Sequence, residues 1–190
     1  MESKGVVFIQ RCSWSFSFYF WAQLCLLSFV LEKWFPWLFL ATALHEGAHF
    51  LLMKQMKVPI TRIRFSPGGI LLRHSTLLPL KKEAMILLAG PLANLLTSAV
   101  LFSFSPIGAQ IQAAVGLYQL LPIQGLDGGS LCRLACSEIW TQNQTETFCR
   151  VLSKACCLGI FLLAIYAYIR NLCNVWLPLI TVGLVIMDEK

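Results

Sequence analysis

Long apolar runs separated by short polar loops dominate the chain. Six of them approach the length that crosses a bilayer, about 20 residues: Ser13–Leu31, Phe35–Met53, Ala84–Phe104, Ile107–Leu126, Ala155–Ile169 and Cys173–Met187. The fourth is the weakest, because Gln110, Gln112, Gln119, Pro122 and Gly125 interrupt it. Polar and helix-breaking residues at membrane depth belong where protein or a wet cavity surrounds them. Two loops are long enough to carry structure. Val58–Leu78 has β-prone runs on either side of "SPGG", the signal of a hairpin, and its apolar residues place it on the membrane. Gly128–Lys154 opens with Leu131, Leu134 and Ala135 at helical spacing and continues through a polar stretch, Thr141–Thr147. It reads as a short interfacial helix followed by a link. The pattern predicts an all-α polytopic membrane protein of about six transmembrane helices, with a membrane-associated β-hairpin after the second, in a single domain over residues 1–190.

Composition agrees with a membrane setting. Hydrophobic residues make up 57% and charged ones 13%, about half the charged share of an average soluble domain. The net charge of +6 does not point to nucleic acid, since no basic motif is interleaved with aromatics. It reports topology instead. With the N-terminus inside and six alternating spans, the inner side holds Lys4, Arg11, Lys54, Lys57, Arg62, Arg64, Arg73, Lys81, Lys82, Arg133, Arg150, Lys154 and Lys190, and the outer side only Lys33 and Arg170. That is 13 of the 15 basic residues on one face, so both termini are expected in the cytosol. Lys4 and Arg11 precede an apolar stretch as in a signal peptide, but no small-residue cleavage site follows, which predicts a retained anchor. Most of the eight cysteines fall in or beside apolar spans or on the cytosolic side and read as reduced, small hydrophobes. Cys132 and Cys136 stand one helical turn apart with Cys149 in the same loop, a spacing that matches no strong metal or redox signature.

One stretch breaks the apolar logic of the second span. "ATALHEGAHFLLMK" places His45, Glu46 and His49 inside it, where each ionisable group costs about 2.5–3.5 kcal/mol on insertion scales. On a helix His45 and His49 project from one face, with Glu46 one step round. The pattern is HExxH, in which two histidines hold zinc and the glutamate serves as general base. Coordination answers the cost, because neutral imidazoles bind the ion and the ion offsets the carboxylate. Two buried histidines could instead satisfy each other by hydrogen bonding, but inside a membrane span, where polar groups carry a cost, metal binding is the stronger reading.

HExxH needs a third ligand. His74 lies in the hairpin loop, Glu83 at the boundary of the third span, and Glu138 and Glu146 in the polar loop. Asp127 closes a long, nearly uncharged segment, "LLPIQGLDGGS", among Pro122, Gly125, Gly128 and Gly129. Those residues allow an irregular backbone that can turn a carboxylate toward a neighbouring helix. Asp127 could equally cap a helix that starts at Gly128 or Gly129. Spacing leaves both roles open. In the third span "AGPLAN" sets Gly90, which lets another backbone approach, beside Pro91, which frees a carbonyl. Asn94 there serves either as glue between helices or as a contact to a substrate peptide or an oxyanion.

With "HEGAH", "GPLAN" and "LDGG" in this order, the chain resembles the site-2 protease family of intramembrane zinc metalloproteases over roughly Phe35–Ser130. The resemblance implies one Zn2+ per chain held by His45, His49 and Asp127, with Glu46 as the catalytic acid and base. In the family the last motif usually reads Asn-x-x-Pro before Leu-Asp-Gly. Here Gln119 holds the Asn position in "QLLPIQGLDGG" and Pro122 is retained, so the amide that contacts substrate is one methylene longer. One span before HExxH and two after LDG resemble the stage IV sporulation FB protease group. That group implies a membrane-associated protein substrate, a sporulation pro-sigma factor, and a membrane-protein inhibitor or regulator. It also implies a bacterial cytoplasmic-type membrane, with the mother-cell membrane around the forespore as the setting. Many of its members carry a C-terminal CBS domain, which this sequence, ending at Lys190, is not expected to have. The spans at 13–31, 155–169 and 173–187 are then accessory to the core.

The expected activity is peptide hydrolysis in a hydrophilic cleft, with the hairpin edge pairing an extended substrate. Two other classes compete. A metal-binding transporter would line an ion path with the polar fourth span, although no paired broken helices in matching halves support it. A non-catalytic membrane scaffold would keep the fold and bind clients, and the intact Glu46 argues against it.

Overall fold

The computed structural model of the protein describes residues 13–66, 69–74 and 78–170. The predicted sixth span Cys173–Met187, the basic N-terminal segment with Lys4 and Arg11, and Pro67 and Gly68 of the "SPGG" signal lie outside them. The chain divides into two compact units, Met1–Tyr118 and Gln119–Lys190.

The first unit runs β1 (Ser13–Phe16), α1 (Phe18–Leu31), α2 (Phe35–Gln55), β2 (Ile60–Ser66), β3 (Gly69–His74), α3 (Leu80–Leu101) and α4 (Pro106–Gln119, its last residue across the boundary). It is not all-α. β2 and β3 pair antiparallel, and β1 adds to β2 in parallel, Ser13 opposite Arg62 and Phe16 opposite Phe65. The first predicted span therefore starts too early: its aromatic leading residues, Ser13–Phe16, form a sheet edge, and the helix begins at Phe18. A register irregularity between Ile60 and Arg62 shifts the side-chain parity of β2. As a result Ile60 and Ile63, three apart, both face the core. They pack with Met53, Val58 and Ile86, flanked by Phe50, Leu52, Met56 and Leu78.

The turn from α2 into β2 is a helix C-cap of the Schellman type. The Val58 amide donates to the Met53 carbonyl at 2.9 Å and the Lys57 amide to the Lys54 carbonyl at 3.1 Å, which satisfies two of the last carbonyls of the helix. Lys57 takes the left-handed conformation, φ 57°, that glycine adopts without steric penalty. The hydrophobic contact that accompanies this cap joins Val58 to Met53 in the core.

Helices α2 and α3 meet along stripes of period four. On α2 the buried residues are Ala41, His45, His49 and Met53; on α3 they are Ile86, Gly90, Pro91 and Asn94. Residues four apart form the ridges by which helices pack. α4 continues the pattern with Gly108, Gln112 and Gly116. A side chain at Gly108 would meet the Trp37 ring at 2.7 Å, and one at Gly116 would meet the Pro91 carbonyl oxygen at 3.1 Å. Both glycines let α4 lie against its neighbours. The Ser98 hydroxyl also donates to the Ala109 carbonyl at 2.7 Å, tying α3 to α4.

The second unit holds α5 (Asp127–Ser137) and α6 (Gln142–Ile169). The fourth predicted span overran its helix. α4 stops at Gln119, and residues 120–126 turn through Pro122 and Gly125, the latter at φ 91°. Proline cannot donate to a continuing helix, and it disfavours helical backbone in the residue before it. The predicted polar link is also corrected. Thr141 is the N-cap of α6, and its amide and hydroxyl both donate to the Gln144 side chain, at 3.1 and 2.9 Å. "TQNQ" is a capping-box sequence, and one helix runs from it through the predicted fifth span.

Among the described residues two helices, α3 and α6, are long and apolar enough to cross a membrane. Only 22% of each apolar window is buried, unlike the core helix of a soluble protein. Met85, Leu92, Leu96 and Val100 on α3 and Val151, Leu158, Leu162 and Leu163 on α6 are exposed, a surface that lipid tails match and water does not.

The left-handed cap yields a stability test. Lys57→Gly removes the steric penalty of φ 57° and should stabilise the protein by about 0.5–1 kcal/mol. A raised thermal unfolding midpoint in detergent is the expected result, and a lowered one contradicts the cap assignment.

Candidate metal centre

The site is built from the middle of α2. His45 and His49, one turn apart, are 3% and 7% exposed. Their rings meet edge to face, with centroids 4.8 Å apart and planes at 82°. His49 Nδ1 lies 2.7 Å from the Ile86 carbonyl oxygen on α3. A carbonyl only accepts, so Nδ1 carries the proton and Nε2 presents its lone pair. That Nε2 is 3.2 Å from Nε2 of His45.

The spacing fits a cation. Two nitrogens on tetrahedral zinc, each at about 2.0–2.1 Å, stand about 3.4 Å apart. A backbone carbonyl that holds the distal ring nitrogen is the usual orienting contact of a ligating histidine. Glu46, next in the chain to His45, is half-buried on α2.

Gly90 makes room for the pair. A Cβ there would collide with His49 Nε2 and come within 2.6 Å of His45 Cε1. The sequence reading assigned Gly90 to close approach of a backbone; here two imidazoles use the space. Asn94, one turn further on, is fully buried, and neither end of its amide has a hydrogen-bond partner among the described residues. Gln112 of α4 is in the same condition, and the sequence reading saw it only as a polar interruption. An unsatisfied buried amide costs about 1–3 kcal/mol, which a bound ligand or water can recover. Ile86 was missed as well, since a backbone acceptor has no sequence letter.

The other candidates fall elsewhere. Glu83 lies in the first turn of α3, and His74 ends β3 opposite Ile60. Glu138 is the exposed C-cap of α5, and Glu146, exposed on α6, accepts from the Gln142 amide at 3.3 Å.

In the second unit Asp127 is the first residue of α5. The N-cap position is Leu126, in extended conformation, and Asp127 stands in the first turn. The glycines after it have a steric reason. A Cβ at Gly128 would run into the Leu120 carbonyl, and one at Gly129 into the Ile123 carbonyl. The first turn of α5 therefore lies directly on the backbone of the preceding loop. That loop is held in turn by the Gln124 amide, which donates to the Ser153 hydroxyl of α6 at 3.0 Å. Gln119 ends α4 and Pro122 sits in the turn after it, both half-buried.

No protein-family model matches the sequence, and no curated protein matches it. The backbone does match a solved structure, the site-2 protease from Methanocaldococcus jannaschii, with a TM-score of 0.69 over 95% of this chain and 90% of that one. The chain has the site-2 protease fold. At 19% identity the likeness concerns the path of the backbone, and the donor geometry on α2 is a separate observation made on this chain's own side chains.

Gly90 supplies the site's sharpest steric test. Gly90→Ala pushes a methyl group into both imidazoles, an overpacking change of about 1–3 kcal/mol. It should cut the zinc-to-protein ratio of purified protein well below that of wild type. Undiminished zinc in a folded Gly90→Ala variant would place the ion elsewhere.

Proposed function

We propose that the protein is an intramembrane metalloprotease of the site-2 type, in which His45, His49 and Asp127 hold one zinc ion. The observation that carries the reading is the pair of Nε2 atoms 3.2 Å apart, with the His49 tautomer set by the Ile86 carbonyl. Asp127 adds the oxygen donor that turns two imidazoles into a three-ligand set with one position left open, the arrangement of catalytic rather than structural zinc. The sequence resemblance and the fold both support that choice.

Zinc held there would supply Lewis acidity to the scissile carbonyl and would lower the pKa of water. Glu46 takes the proton of the attacking water and passes it to the leaving amine nitrogen, the acid–base role that its place beside His45 permits. Asn94, whose buried amide lacks a partner among the described residues, donates to the oxygen on which negative charge develops. Gln119 and Pro122 contact the substrate backbone. Among the described residues β3 is an outer strand of the sheet β1-β2-β3, and an extended peptide would pair with it, which matters because a helical substrate hides its peptide bonds.

The substrate class is a membrane-associated protein, and the resemblance to the stage IV sporulation FB group makes a pro-sigma factor the first candidate. A membrane with both termini in the cytosol is the setting, and a membrane-protein inhibitor is the expected regulator.

Two variants separate chemistry from metal binding. Glu46→Gln should abolish cleavage of a co-expressed pro-sigma factor, a loss of at least about 10²–10⁴-fold, while zinc content stays near that of wild type. Retained hydrolysis removes Glu46 from the reaction. Asp127→Ala should weaken zinc affinity about tenfold or more; unchanged affinity by chelator competition removes Asp127 from the ligand set.

A further inference from the structure

The chain carries a second cluster of soft donors that the protease reading does not use. Cys132 and Cys136 lie one turn apart on α5, and Cys149 lies in the second turn of α6. The reversal between the helices is closed by the Ile139 and Trp140 amides, both donating to the Cys136 carbonyl, at 3.1 and 2.9 Å. α6 thus folds back along α5 and returns Cys149 to the other two. All three are free thiols, and their sulfurs lie within 4.8 Å of one another.

We infer that Cys132, Cys136 and Cys149 form a thiolate site for one soft d10 cation, Zn2+ or Cu+. Three sulfurs at about 2.3 Å from a common zinc ion stand about 3.8–4.0 Å apart, in tetrahedral or trigonal arrangement. The observed separations are close enough that small side-chain rotations complete the shell. The spacing C-x3-C-x12-C has its first pair in the range common to zinc sites. The geometry supplies what the letters lacked, a third sulfur from the next helix. Cys149 is 4% exposed, whereas Cys132 and Cys136 are only half-buried. The site is therefore closed on the α6 side and reachable from the other. Zn2+ completes its fourth position there with solvent, and Cu+ is satisfied by three thiolates. Binding releases the thiol protons and cross-links α5 to α6. A disulfide fits less well, since three thiols leave one unpaired.

The site differs from the α2 histidines in donor type and stands independently of the protease reading. The test uses the full chain, purified under reducing conditions and stripped of metal. Co2+ added as a spectroscopic stand-in for Zn2+ should give a near-ultraviolet thiolate-to-cobalt band. The band should persist in His45→Ala and disappear in Cys149→Ser. Cys136→Ser, at a more exposed position, should abolish it too and covers the case in which Cys149→Ser fails to fold. In separate arms, one equivalent of Zn2+ or of Cu+ should slow alkylation of all three cysteines about tenfold or more, and the arm that protects identifies the cation. Absence of the band in wild type, its survival in folded Cys136→Ser, or equal alkylation rates with and without both cations overturns the inference.

Discussion

The hydrogen bond from His49 Nδ1 to the Ile86 carbonyl is the constraint from which the site follows. It is a contact between α2 and α3 at 2.7 Å, so it serves packing and chemistry together. It fixes the ring orientation, selects the tautomer, and leaves Nε2 with a lone pair directed at its neighbour. A water molecule in place of the carbonyl would let the ring turn and exchange tautomers. Because the acceptor is backbone, within a helix that also buries Gly90 and Asn94, the ring cannot be re-aimed without moving α3.

That constraint explains the small residue beneath the pair. Two imidazoles on one turn occupy the space where a side chain of α3 would normally interlock with α2. α3 meets this by presenting Gly90 at the crossing, then Pro91, then Asn94. The same helix exposes Leu92 and Leu96 on its other side. One helix thus faces polar groups on one flank and an apolar medium on the other, and the period-four stripe keeps them apart. A uniform apolar helix could cross a membrane but could not hold a site. The sheet and its core (Met53, Val58, Ile60, Ile63 and Ile86) anchor the end of this helix pair, so Ile86 is held by its side chain while its carbonyl holds the histidine.

How much of this could be read from the letters depends on whether the signal is local. His45 and His49 sharing a face is a matter of helical period, and "SPGG" between β-prone runs marks the place where β2 and β3 turn back on each other. The Ile86 contact was illegible, because every residue carries a carbonyl. The β1 strand was hidden by its neighbours: the aromatic residues of "SWSF" run without a break into the apolar helix that follows, and its partner β2 is distant in sequence. α6 was misread for a different reason. The polar stretch Thr141–Thr147 lowers the hydropathy of the first turns, although "TQNQ" supplies the capping box that starts the helix. The overrun of α4 was the converse error, in which apolar Leu120, Leu121, Ile123 and Leu126 masked the break at Pro122 and Gly125.

The LDGG segment shows how a motif can be steric before it is chemical. Gly128 and Gly129 would each place a Cβ inside the backbone of residues 120–123, so alanine at either position must push α5 away from its own preceding loop. Asp127 directly precedes them, and the bond from Gln124 to Ser153 holds the loop on which they rest. Asp127 therefore stands on a segment whose backbone is held by contacts within one unit. This resembles the arrangement on α2, where a histidine is aimed by a carbonyl and given room by a glycine. In both segments a glycine stands where a Cβ would collide with its surroundings, the imidazoles in one case and the loop backbone in the other. Alanine at Gly90, Gly128 or Gly129 must therefore shift the imidazoles or the backbone beside it, which ties these glycines to the local geometry of His45, His49 and Asp127.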